Sequence, residues 1–259
     1  MAAARIEARR SATPGVTIAT PRAYEVFGAL CFAGRRARAF AGRRARAFAG
    51  LAELSGAAPG DRVLDVDCGT GCLTRAVAAR IGPDAAVTGV DASPPVLAHA
   101  HGRKKRPGSA PCVYREGIAE SLDFPDASFD TVVTSLMLHH LPQELRPAAL
   151  REMRRVLRPG GRLLVVEFRP SKGWIGRRLV HGGLAHAMAH NRVDLLETLV
   201  GDAGFELSGR GDVRPWLTCV QGRRTRWRQG TRAARVRGWR TRSGTPAQPA
   251  PGGWSPRRR

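Results

Sequence analysis

From residue 61 onward, short unbroken apolar runs alternate with longer segments whose apolar residues recur every three or four positions. Apolar runs without alternation read as strands buried on both faces, and the periodic segments between them read as helices. DRVLDVD (61–67) is the first strand, followed by the turn CGTG and a helix, CLTRAVAARIG, that stops at Gly82-Pro83. AAVTGVD (85–91) is the second strand; Ser93-Pro94-Pro95 then opens a helix, because a proline's missing N–H costs nothing in the first turn. APCVYR (110–115) is a short third strand and SFDTVVTSLML (128–138) a fourth. QELRPAALREMRRVL (143–157) is a helix ending at Pro159-Gly160-Gly161, and GRLLVVEF (161–168) is a fifth strand. NRVDLLETLVGDAG (191–204) is a further helix closed by Gly204, and FELSGRGDVRPWLTCVQ (205–221) supplies a final hairpin. Strands of this kind separated by helices imply a mostly parallel sheet covered on both faces, a doubly wound α/β fold.

Ahead of this core, residues 21–56 carry a helical pattern with a perfect tandem repeat, AGRRARAF at 33–40 and again at 41–48. Eight extra residues lengthen a helix by about 12 Å and turn the following face by about 80°. Arg35, Arg36, Arg38, Arg43, Arg44 and Arg46 would then form a basic stripe beside Phe40 and Phe48. A solvated face accounts for the stripe, with phosphate contact as the alternative.

Composition adds a boundary. A chain of 259 residues, 42% hydrophobic, can bury one substantial core with extensions. The net charge of +22 looks like a nucleic-acid signal, yet residues 221–259 hold twelve arginines and no acid, more than half of that excess. This stretch is rich in Gly, Pro and Arg, has Trp227, Trp239 and Trp254 but no apolar stripe, and reads as a disordered, solvated tail. Arginine and tryptophan contacts to RNA or an anionic surface are its functional alternative. The organisation is thus a disordered N-terminus (1–20), a helical cap (21–56), a core (57–220) and a disordered Arg-rich tail (221–259).

Cys31, Cys68, Cys72, Cys112 and Cys219 form no CxxC pair and read as reduced thiols in a cytosolic protein. His186 and His190 would share a helix face, but without the glutamate of HExxH or an evident third ligand they define no metal site. No apolar run is long enough to span a bilayer, and the first twenty residues lack the apolar region of a secretory signal. Their basic, acid-poor character fits an organelle transit peptide or a disordered bacterial N-terminus equally.

In a doubly wound sheet, ligands bind at the carboxyl ends of the strands. There the chain places Asp65, Gly69-Thr70-Gly71, Asp91, the stretch from Glu116 to Glu120, the stretch from Thr134 to His140, and Glu167. A glycine-rich turn between strand and helix lets a cofactor approach the helix's open N–H groups, and an acid ending the second strand suits the two hydroxyls of a ribose. The dinucleotide fingerprint is excluded, because its third glycine would stand where Thr74 does.

Four segments in order, VLDVDCGTG (63–71), VTGVDASP (87–94), EGIAESLDFPDASFDTVVTSLMLHHLP (116–142) and LRPGGRLLVVEF (157–168), resemble the class I S-adenosylmethionine-dependent methyltransferases. The likeness is greatest to the small-molecule branch related to ubiquinone and menaquinone biosynthesis enzymes, and it covers roughly residues 60 to 170. It implies a seven-stranded Rossmann-like sheet with an N-terminal helical cap, and S-adenosylmethionine as cofactor. It further implies that Asp65, Asp67, Cys68, Gly69, Thr70 and Gly71 wrap the methionine part and that Asp91 holds the ribose, flanked by Ala92 and Ser93. Ile118 and Ala119 would lie by the adenine, Ser135 would end the fourth strand beside the cofactor, and Tyr24 would close over it.

Two positions depart from the family. Many relatives carry an acid at the position of Ile118, which can only pack against the adenine ring. Relatives carry glycine, or alanine, at Asp67, so the backbone there is expected not to demand a positive φ. The carboxylate would oppose the cofactor's carboxylate and attract its ammonium or sulfonium.

A sulfonium methyl is already activated, so the protein's task is to hold an acceptor in line with it, adding a base only if the acceptor must lose a proton. His139, His140 and Glu167 are the candidates; capping of the fourth strand by the two histidines is the structural alternative. The expected function is methyl transfer to a small organic acceptor at oxygen, carbon or nitrogen. The cap and the segment 171–192, with Trp174, Leu179, Leu184 and Met188, would shape the acceptor pocket or pack on the sheet. An RNA methyltransferase gripping phosphate with its basic cap and tail is a rival, lowered by the lack of an Asn-Pro-Pro-Tyr-like element. A catalytically dead binding module, its cofactor site lost through Asp67 and Ile118, is the other.

Overall fold

The computed structural model describes residues 37–169, 193–213 and 217–225. Tyr24, His186, His190, the 171–192 segment and the arginine-rich stretch beyond 225 lie outside them, as does the first half of the duplication up to Arg36.

The strands are β1 (Arg62–Val66), β2 (Ala86–Asp91), β3 (Cys112–Glu116), β4 (Phe129–Ser135), β5 (Leu157–Phe168), β6 (Phe205–Val213) and β7 (Leu217–Arg224). They form one seven-stranded sheet in the order β3-β2-β1-β4-β5-β7-β6. The first five strands pair in parallel, while β7 runs antiparallel to both neighbours. Helices α1 (Ala37–Leu54), α2 (Cys72–Ile81) and α3 (Pro94–His101) precede or separate the early strands, and α4 (Arg146–Val156) and α5 (Leu196–Asp202) the later ones.

Alternation along each strand divides the core. Val63, Val87, Val133, Leu164 and Val166 pack with Leu51 of α1 and with Leu73, Val77 and Ile81 of α2. Leu64, Val66, Val132, Leu163 and Val165 pack with Leu150 and Met153 of α4 and Val200 of α5. Both sheet faces are therefore apolar, which is why the parallel strands read as unbroken hydrophobic runs. On α1 the second copy of the repeat turns Ala47 and Phe48 against the core and leaves Arg46 exposed.

Several boundaries differ from the sequence reading: the fourth strand ends at Ser135, the helix after it spans Arg146–Val156, and the last one Leu196–Asp202; two further differences change the sheet itself. Strand β5 begins at Leu157 and passes through Pro159-Gly160-Gly161, the pairing with β4 shifting between Phe129 and Thr131. Gly160 supplies a φ of 82° for that irregularity. At the other end β7 runs to Arg224, so residues 221–224 belong to the sheet and not to a disordered tail. The reason is local: the Arg224 guanidinium donates to the carbonyls of Arg154 (3.0 Å), Arg155 (2.8 Å) and Leu157, closing the carboxyl end of α4. A cation there meets the orphan carbonyls and the negative end of the helix dipole.

Candidate functional site

The chain builds outward from β1 to β3 on one side and then restarts at β4, so the sheet reverses between β1 and β4. That switch point opens a crevice at the carboxyl ends of the strands, where the glycine loop stands. Gly69 and Gly71 both have positive φ, 53° and 70°. Gly71 is demanded twice over, since a Cβ there would lie 2.4 Å from the Tyr114 hydroxyl. The loop is pinned on β2: Cys68 N–H donates to the Val90 carbonyl at 2.9 Å, and Gly69 N–H donates to Asp91 Oδ2 at 2.8 Å. Asp91 Oδ1 accepts the Ser93 N–H at 2.8 Å, so this carboxylate braces the loop and the start of α3 together. Behind the loop, Gly89 leaves room for Cys68 and Tyr114, each within 2.8 Å of where its Cβ would be.

Asp67 corrects an expectation. Its φ is 59°, in the left-handed region that favours glycine. The chain must turn from β1 into α2 within five residues, and aspartate is among the few non-glycine types that tolerate the conformation. The backbone therefore does ask for positive φ at this position, and the aspartate carries strain as well as charge.

Four carboxyl groups converge on this end of the sheet. Asp65 is fully buried; its Oδ2 accepts the Thr74 hydroxyl at 2.6 Å, while Oδ1 has no hydrogen-bond partner among the described residues. Burial pushes Asp65 up to about 7, against the restraining Thr74 hydrogen bonds. Half-buried Asp67 is raised well above the ordinary carboxylate range, first by loss of solvent and then by Asp91, with Asp65 and Glu167 adding to it.

Glu167, at the end of β5, behaves oppositely. Its side chain is 1% exposed, and its two oxygens accept the Leu138 N–H and meet His139 Nδ1, each at 2.8 Å. Burial alone would raise it, but the His139 charge and hydrogen bond, the Leu138 N–H and His140 together hold it below its usual value. In the neutral form of His139, an ionised Glu167 would make Nδ1 the donor and leave Nε2 as the acceptor nitrogen. The pair is aimed by Leu136, whose φ of 62° bends the chain from β4 into the 3₁₀ turn Leu138–His140. The His139 and His140 rings lie 4.1 Å apart between centroids. Burial, then the His139 charge, pulls His140 down to about 4, so it is neutral at pH 7.

The structure thus gathers Asp65, Asp67, Cys68, Gly69, Thr70, Gly71, Asp91 and Ser93 around one loop, and His139 with Glu167 at the neighbouring strand ends. Ile118 bridges to Ser121 just past β3, with buried Ala119 beside it, and Ser135 ends β4 paired with Val166. Sequence reasoning missed the supports. Thr74 registers in the sequence only as an absent glycine, although it holds Asp65, and Arg75, which donates to the Thr70 carbonyl at 2.9 Å, carries no signal there. Position 74 lies in the first turn of α2, on the face toward β1, and that placement is the available signal.

Residues 63–161 match the family model described as a methyltransferase domain. The ubiquinone/menaquinone biosynthesis C-methyltransferase UbiE of Ectopseudomonas mendocina (strain ymp) is 44% identical over 117 residues, 45% of each chain. Its namesake in Pseudomonas paraeruginosa (strain DSM 24068 / PA7) is 39% identical over 127 residues, 48% of this chain and 49% of that one. The chain spans about half the length of the curated relatives it matches. Among solved structures, a SAM dependent methyltransferase from Aquifex aeolicus superposes with a TM-score of 0.58 at 17% identity, covering 69% of this chain and 89% of that one. At such identity the likeness speaks to fold, and it agrees with the sheet order described above. Over residues 63–161 the chain is thus similar in sequence to methyltransferase domains, and its sheet has the fold of an S-adenosylmethionine-dependent methyltransferase.

Proposed function

We propose that the protein transfers a methyl group from S-adenosylmethionine to a small electron-rich acceptor, at a ring carbon of a quinol-type compound. The observation that carries this reading is the acid-rimmed glycine loop. The cofactor combines an ammonium and a sulfonium with one carboxylate, a net cation, and Asp65 offers it a buried oxygen without a partner among the described residues. The donor set therefore fits the cofactor. Asp65 and Asp67 would meet its positive groups, the N–H groups opening α2 would meet its carboxylate, and Asp91 would meet the ribose hydroxyls.

When bound, the cofactor supplies an electrophilic methyl group. Methylation at a ring carbon leaves one proton to be removed from that carbon. His139 takes it at Nε2 while Glu167 stabilises the resulting imidazolium through Nδ1. His140, neutral at pH 7, packs against His139 at a 40° tilt. The choice of carbon follows the C-methyltransferase activity of the relatives. Oxygen or nitrogen acceptors remain the alternatives, and the cytoplasmic placement read from the cysteines belongs to the same proposal.

The test supplies cofactor carrying a labelled methyl group with a demethylated quinol, a catechol and an amine, and locates the label by mass spectrometry. Label on the ring carbon supports the reading. Label on the catechol oxygen alone reassigns the acceptor, and an absence of S-adenosylhomocysteine with every acceptor sinks the activity. An RNA methyltransferase finds no specific support among the described residues.

A further inference from the structure

Four acids rim the crevice, and three of them are fixed by donors. Asp65 accepts the Thr74 hydroxyl, Asp91 accepts the Gly69 and Ser93 N–H groups, and Glu167 is held by the Leu138 N–H and His139. Asp67 differs. Its side chain meets the carboxyl of Asp91, and the charges acting on it most strongly are all acidic, Asp91 first and then Asp65 and Glu167. Two carboxyl groups hydrogen-bond only if one of them keeps a proton. The two N–H donors, each at 2.8 Å, favour the ionised form of Asp91, so Asp67 holds the proton.

The same contacts fix its position. Asp91 ends β2, Asp65 lies in β1, and Glu167 lies in β5 on the far side of the switch point. A group within electrostatic reach of all three stands between the glycine loop and the pair formed by His139 and Glu167. The backbone keeps the carboxyl there at a cost, since φ at Asp67 is 59°.

We infer that Asp67 sets the preference of the crevice between methyl donor and demethylated product, favouring the positively charged donor. The inference rests on the S-adenosylmethionine reading of the crevice and divides the work of two acids. S-adenosylmethionine and S-adenosylhomocysteine share the ammonium, the carboxylate and the ribose. They differ in the methyl group and in the sulfonium charge: when the methyl leaves, the electron pair of its bond stays on sulfur, and a neutral thioether remains. Asp65, fully buried in β1, answers the ammonium common to both. Asp67, half-buried between the loop and the acceptor side, answers the charge that only the donor carries. It gives up its proton to water when that cation arrives and regains one from water when the charge is gone. The product is therefore held by one ion pair fewer than the donor, which eases its departure.

The test is calorimetric titration of the full chain with S-adenosylmethionine and, separately, with S-adenosylhomocysteine, for the natural protein, Asp67→Asn and Asp65→Asn. Asparagine keeps the shape of the protonated acid. In Asp67→Asn, S-adenosylhomocysteine should bind within about twofold of the natural affinity, while S-adenosylmethionine loses about tenfold. Asp65→Asn should weaken both ligands and leave their affinity ratio within about twofold of the natural one. The inference is overturned if both ligands bind and Asp67→Asn leaves their ratio unchanged, or if Asp65→Asn shifts the ratio as far as Asp67→Asn does. If neither ligand binds the natural protein saturably, the methyl-donor reading falls and the inference falls with it.

Discussion

Glu167 and Asp65 occupy the same rim of the same sheet, both are fully buried, and they titrate in opposite directions. Glu167 has a partner for each oxygen and is held ionised. Asp65 has one hydroxyl on one oxygen and nothing on the other among the described residues, and is driven toward the neutral acid. Burial is common to both, so the partners decide. The β5 side of the crevice is electrostatically complete by itself, whereas the β1 side keeps a buried carboxyl oxygen without a partner among the described residues.

The widest separation between the two sides should come from removing each carboxylate. Glu167→Ala strips His139 of its buried partner and should lower unfolding free energy by about 3 kcal/mol in urea titrations at pH 7. Asp65→Asn should stay within about 1 kcal/mol of the natural protein while weakening S-adenosylhomocysteine about tenfold, because it removes the ammonium's partner. Equal losses of stability from both would break the contrast.

Proton linkage sharpens it further. The folded value of Asp65, about 7, lies above its unfolded value near 3.8, so its contribution is present below about pH 4 and is lost as pH rises through 7. His140 runs the other way: folded near 4 against 6.5 unfolded, its contribution is present above 6.5 and is lost as pH falls toward 4. Melting temperatures followed from pH 4.5 to 8 should therefore show Asp65→Asn gaining on the natural protein toward the alkaline end, and His140→Asn gaining toward the acid end. A cation arriving at Asp65 displaces its proton. S-adenosylmethionine affinity should accordingly fall below pH 7, with proton release visible as a heat that depends on the buffer's ionisation enthalpy.

Asp67 combines strain and charge, and two substitutions separate them. Asp67→Gly relieves both and should raise stability by about 1 kcal/mol; Asp67→Asn keeps the Cβ at positive φ and should recover only the electrostatic share. Equal gains would mean that φ is irrelevant there. The smallest effect belongs to a residue far from the crevice: Arg224→Ala should cost about 0.5–1 kcal/mol by uncovering the end of α4, with cofactor affinity unchanged.

The element order from Arg62 to Arg224 was legible because parallel strands buried on two faces leave continuous apolar runs, and Gly-Pro and Ser-Pro-Pro punctuate the helices. Gathering the loop with Asp91 and Glu167 was legible too, since topology alone sends those strand ends to one edge. What resisted reading depends on single dihedral angles. That His139 and not His140 faces Glu167 is set by Leu136 at φ 62°, and no periodicity announces a left-handed leucine. Likewise the strain at Asp67 arises from how tightly β1 is joined to α2. Arg223 and Arg224 look like the first letters of a basic tail until β6 is seen pairing with them.

That last strand has a consequence for how the chain is made and cut. Although β7 comes late in the sequence, it is an interior strand, hydrogen-bonded to β5 on one side and β6 on the other. During synthesis the row of backbone donors and acceptors along β5, from Arg162 to Phe168, stays uncovered until residues 217–223 leave the ribosome. A product truncated before Leu217 would keep the methyl-donor loop intact and yet expose Val165 and Val166 on an open edge, ready to pair with another copy. Solubility, more than catalysis, would be the first property such a truncation destroys.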